Sequence, residues 1–190
     1  MGKSALPRSR YDRDWDIFVW VLAVEKLMRG QRNAGRYDVE ICSIGALKGS
    51  ELTACVDLLR CGGAVDPNSA ACELPLAPVV AIAKSGHEIA GVGAIKRARP
   101  DYAKDKAQKS DFDFDPQINE LGYVAVADKH RGHGLSHKII KALLSNHDGP
   151  LFATTYNDRM KSTLRKAGFQ MKGHEWDGDG GCLSLWVKQV

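Results

Sequence analysis

The chain has 190 residues, 44% hydrophobic and 26% charged, with a formal net charge of +4 at pH 7. That balance suits one soluble domain with a real core and excludes a low-complexity or disordered chain; so mild a charge permits an anionic ligand without demanding nucleic acid. The five cysteines (Cys42, Cys55, Cys61, Cys72 and Cys182) are odd in number and form no C-x-x-C pair, so they read as buried, reduced thiols. The longest apolar run, Ile17 to Val24, falls short of the roughly 20 residues needed to span a bilayer. A cytoplasmic protein without a membrane partner is expected. The basic residues Lys3, Arg8, Arg10 and Arg13 and the run from Lys96 to Arg99 are expected to be solvated.

In chain order, residues 1–14 are polar and basic, and WDIFVWVLAVEKLM (15–28) is apolar on almost every side, a helix that faces either the core or a partner such as a second copy. Residues 1–36 therefore form an extension to a domain over 37–190. DVEICSI (38–44) predicts a strand. Ser50 then caps a helix carrying Leu52, Cys55, Val56 and Leu59 at helical spacing, stopped by Gly62 and Gly63. VVAIA (79–83) and EIAGVGAIK (88–96) predict a hairpin turning at Ser85-Gly86. The polar segment 97–117 reads as a loop, mobile or functional. NELGYVAVA (119–127) predicts a strand in which Glu120 and Tyr123 need not share a face. HRGHGLSH (130–137) follows, then a helix with Leu135, Ile139, Ile140, Leu143 and Leu144 on one side. LFATTY (151–156) is a further strand. Asn157 opens a short helix closed by Gly168, and two last strands flank DGDGG. The sum is one α/β domain with a mostly antiparallel sheet.

HRGHGLSH admits two readings. His133 and His137 have a four-residue spacing found in metal sites, but no H-E-x-x-H or cysteine pair supports it, and no metal is expected. A strand, a glycine turn and a helix instead aim several backbone N–H groups at one spot, where the helix adds about half a positive charge. Arg131 sets a cation beside it, and Gly132, Gly134 and Ser136 leave room for an oxyanion. The Rossmann and Walker patterns both fail on the third glycine and the missing Gly-Lys-Ser/Thr.

Val126, followed five positions later by Arg131-Gly132-His133-Gly134-Leu135-Ser136, resembles the pyrophosphate loop R/Q-x-x-G-x-G/A of the GNAT superfamily of acyl-CoA N-acyltransferases. Asn157, Met160, Thr163, Leu164, Lys166, Gly168 and Phe169 resemble that family's next helical motif, N-x-x-A-x-x-L-Y-x-K-x-G-F. The resemblance covers residues 79–176. It implies a GNAT-like mixed, mostly antiparallel sheet flanked by helices, and acetyl-CoA (coenzyme A) as the acyl donor to a primary amine of a small molecule or protein. Val124, Val126 and Asn157 would contact the pantetheine arm, residues 131–136 the pyrophosphate, and Lys166 belongs to the same cofactor set. Glu120 is the expected base. Leu164 stands where many members place an acidic tyrosine, and solvent, or a tyrosine from elsewhere such as Tyr156, is the expected proton source. The competing readings are an acyltransferase directed to RNA or DNA, and a non-catalytic acyl-CoA-binding module.

Overall fold

The computed structural model describes residues 37–189 apart from 44, 48, 63–66 and 179. The expected basic segment 1–14 and apolar helix 15–28 lie outside the described residues. From Asp38 onward the chain is one compact unit. Its elements are β1 (Asp38–Ser43), α1 (Gly49–Cys61), α2 (Pro67–Glu73), a 3-10 turn (Leu74–Leu76), β2 (Val79–Ser85), β3 (Glu88–Lys96) and α3 (Pro100–Ser110). β4 (Asn119–Val126), a 3-10 turn (Asp128–His130), α4 (Leu135–Leu144), β5 (Leu151–Thr155), α5 (Asp158–Lys166), β6 (Gln170–Gly178) and β7 (Gly181–Lys188) complete it.

Among the described residues the strands form one sheet in the order β1-β2-β3-β4-β5-β7-β6. Every neighbouring pair is antiparallel except β4 and β5. The expected α/β class with a mostly antiparallel sheet is the observed one. Alternation along β3 fixes which helices lie on which face. Val92 and Ala94 join Val80 and Ile82 in a core with Cys55 and Leu59 of α1. Gly91 and Gly93 point the other way, toward α4. A Cβ at Gly93 would stand 2.5 Å from Ile139 Cγ2, so only glycine lets that helix lie so close. Phe152, Leu185 and Val187 pack with Ala103 of α3, on the α1 and α2 side.

Four local expectations change. Segment 97–117 is not a bare loop: Pro100 stands in the first turn of α3, where its missing N–H costs nothing, and Ala103 and Ser110 turn inward. α2 and the turn after it were not anticipated, because Pro67–Leu76 is too short to show a helical period. Ser50 is not a cap, since α1 begins one residue earlier at Gly49. Of the five cysteines, all free, only Cys55 is buried; Cys61, Cys72 and Cys182 are exposed. Among the described residues no helix is long and apolar enough to cross a membrane.

Candidate functional site

The parallel strands β4 and β5 are joined through two residue pairs only, Asn119 with Leu151 and Glu120 with Phe152. Beyond Glu120 the pairing stops, which leaves the β4 edge over 121–126 open on the side of β5. On its far side β4 stays paired with β3, but the register slips between Val92 and Ala94, and the extra residue is accommodated at Tyr123. Tyr123 has φ of 55°. A bulky residue in the left-handed region costs on the order of 1–3 kcal/mol and must be held there by its surroundings. Two contacts do so: the ring is buried in the α1 core, and its hydroxyl donates to Glu73 Oε2 at 2.8 Å. The bulge breaks the simple alternation of side chains, so Tyr123 and Glu120 converge on Lys96 from the same strand.

Past the bulge, the Ala127 N–H donates to Ala90 O across β3. Main-chain groups alternate, so those of Val124 and Val126 turn toward the opening. Arg131 reaches back over this edge, its Nε 3.5 Å from Val126 O and its Nη2 2.7 Å from Asp128. Gly132 and Gly134 both have positive φ, 82° and 71°. Gly134 is the N-cap of α4 and no side chain caps the helix, which leaves the N–H groups of Leu135 and Ser136 to an outside acceptor. An unpaired strand edge for an extended amide-bearing arm, leading to an uncapped helix start beside an arginine, fits a pantetheine arm that ends in a pyrophosphate.

The histidines of the loop are separated by their surroundings. His130 is buried with Nε2 3.5 Å from the Glu88 carboxylate, His133 Nδ1 lies 3.2 Å from His130 O, and His137 is exposed. Among the described residues no three His, Cys, Asp or Glu side chains are grouped to hold a metal ion. Asn157 caps α5, its Oδ1 accepting from the N–H groups of Arg159 and Met160. Lys166, at the end of α5, is exposed, and Leu164 is buried. Tyr156 lies against the β6–β7 turn: a Cβ at Gly180 would come 2.6 Å from its ring.

On the α1–α3 face the opening is bordered by a network that the sequence does not announce. Glu120 is 5% exposed, and its Oε2 meets Lys96 Nζ at 2.7 Å and Arg99 Nη2 at 2.9 Å. Arg99 Nη1 continues to Glu73 at 3.0 Å. The Tyr102 ring carries the Arg99 guanidinium at 4.3 Å, and its hydroxyl lies 3.4 Å from Thr154 Oγ1 on β5. Burial pushes the Tyr102 hydroxyl up to about 12 and, against the pull of Glu120, holds Lys96 below the usual lysine range. Lys96 and Arg99, expected at the surface, are thus drawn inward by two carboxylates; Arg97 between them is exposed. A charged residue closing an otherwise apolar strand was the one available signal for Lys96.

No protein-family model matches the sequence, and no curated protein matches it. Solved structures do match its fold. A GNAT-family acetyltransferase from Streptococcus agalactiae superposes with a TM-score of 0.61 at 15% identity, over 80% of this chain and 95% of that one. An acyl-CoA N-acyltransferase from Pseudomonas aeruginosa gives 0.59 at 13% identity, over 80% and 99%. A GNAT-family acetyltransferase from Elizabethkingia anophelis, solved with acetyl-CoA bound, gives 0.54 at 16% identity, over 82% and 99%. The fold of the chain is the GNAT fold.

Proposed function

From the GNAT fold as premise, we propose that this protein is an acyl-CoA-dependent N-acyltransferase that moves an acetyl group directly to a primary amine of a small molecule or protein. The observation that carries the reading is the opening between β4 and β5, with an unpaired strand edge at Val124 and Val126 and the uncapped start of α4 at its rim. Acetyl-CoA, when bound, supplies the activated acyl group. The main chain of Val124 and Val126 would bond the pantetheine arm, and an N–H of that edge would polarise the thioester carbonyl. Residues Arg131 to Ser136 would hold the pyrophosphate, with Asn157 and Lys166 on the opposite bank.

In this reading the amine enters on the α1–α3 face, where Glu120 lies. An amine of pKa about 10.4 is almost wholly protonated at pH 7, which adds roughly 4–5 kcal/mol to the barrier for attack. Glu120 is the base in this reading. Both cations bond its Oε2, while Oε1 lies toward Gly122, 3.5 Å from where a Cβ would stand and just past the last β4–β5 pair. A proton from the amine reaches that oxygen directly or through one water.

The test is release of free thiol from acetyl-CoA against a panel of polyamines, amino acids and lysine peptides, with product masses. The reading expects amine-dependent thiol release with a mass gain of one acetyl group. Thiol release that no amine accelerates, despite tight cofactor binding, would leave a non-catalytic acyl-CoA-binding module.

A further inference from the structure

Leu164 is buried and carries no proton, so a proton for the departing sulfur comes from solvent, from Tyr156 or from another side chain at the site. Lys96 is placed for it. It closes β3 opposite Glu120, and its side chain runs across Gly122, the second residue of β4 beyond the last pair with β5. A Cβ at position 122 would stand 3.1 Å from Lys96 Cε and 3.4 Å from Nζ, which places the ammonium against the strand where it leaves its neighbour. The groups facing Nζ are Glu120 at 2.7 Å, the Tyr123 ring at 4.6 Å and the Tyr102 ring at 5.8 Å, with Arg99 and Glu73 beyond them. A buried ion pair of this kind adds little stability over apolar residues of the same volume, so stability alone does not account for it.

Resting on the acyltransferase reading above, we propose that Lys96 is a catalytic residue, the ammonium that protonates the thiolate as it leaves. The nitrogen–carbon bond to the acceptor forms, the carbon–sulfur bond breaks, and its electron pair goes to sulfur. Sulfur takes a proton from Nζ. Glu120 passes to solvent the proton it takes from the protonated amine before attack. The second proton, shed by the nitrogen once the nitrogen–carbon bond has formed, also leaves through Glu120, and Lys96 regains one proton from solvent, so that a single proton is released in all. Atoms and charge balance with no further reactant. Burial, which makes the ammonium readier to give up its proton, agrees with this role.

The test uses the full chain with free coenzyme A, and follows the ultraviolet absorbance of the bound thiolate against pH, with desulfo-coenzyme A as the blank that removes the protein's own cysteines. A free thiol titrates at about 8.5, and a neighbouring ammonium should bring it down by about one unit or more, raising the thiolate fraction at pH 7.5 roughly five-fold. Lys96→Met should restore the ordinary value. Lys96→Arg should keep the depression, because its charge remains, yet lose on the order of 100-fold in turnover, because guanidinium does not give up its proton. If the methionine variant does not fold, the wild-type titration and the arginine variant decide. Coenzyme A that binds but titrates at the ordinary value overturns the role of Lys96, as does an arginine variant with full turnover. Failure to bind coenzyme A at all overturns the acyl-CoA reading itself.

Discussion

The two faces of the β4–β5 opening are built from different materials. Toward α4 the site is main chain: glycines at 91 and 93 bring the helix down onto β3, Gly132 and Gly134 turn the loop, and the ligand-ready groups are backbone N–H. Toward α2 and α3 it is side chains, two carboxylates and two cations joined end to end and roofed by tyrosines. Backbone recognition tolerates change in most side chains, so long as φ and close approach are preserved. A chain of buried charges tolerates almost none, because removing one member strands its partners.

Cutting the side-chain half should have the largest effect. Glu120→Ala leaves Lys96 and Arg99 facing each other without their shared carboxylate, and should cost about 3–5 kcal/mol in chemical denaturation. A loss below about 1 kcal/mol would mean that the network is not buried as described. On the main-chain half, Gly93→Ala drives a methyl into Ile139 and Leu143 and should cost about 1–3 kcal/mol by the same measurement, weakening acetyl-CoA binding as α4 shifts. Unchanged stability there would show that α4 does not rest on the glycines. A smaller effect comes from pH. Tyr102 keeps its proton longer folded, to about 12, than unfolded, at about 10, so its contribution is complete below pH 10 and is lost as pH rises toward 12. Wild type should therefore lose on the order of 2 kcal/mol more than Tyr102→Phe across that window, read from thermal unfolding at successive pH values.

The same contrast explains how much was legible in the sequence. Apart from Gly91 and Gly93 the main-chain half is contiguous: strand, glycine loop and helix occupy residues 119 to 144, and the second motif from Asn157 to Phe169 joins a cap, an amphipathic helix and a closing glycine. Residue type and spacing suffice for such a unit, and with it the sheet and its helices. The side-chain half draws on Glu73, Lys96, Arg99, Tyr102, Glu120 and Tyr123, from three separate stretches of sequence that meet only in three dimensions. Glu73 sits at the end of a helix too short to read. Lys96 and Arg99 look like surface charge until two carboxylates are brought beside them. Tyr123 defeats the alternation rule, because a bulge with positive φ is invisible to a period of two.

The most direct test of this division is calorimetric titration of acetyl-CoA into three proteins: wild type, Gly134→Asp and Glu73→Gln. The account predicts micromolar binding by wild type, a loss of at least about 100-fold in Gly134→Asp, where strain and a like charge meet the pyrophosphate, and affinity within about three-fold of wild type in Glu73→Gln. Equal affinity in wild type and Gly134→Asp would contradict it, because the glycine loop at the start of α4 would then not be the cofactor's anchor.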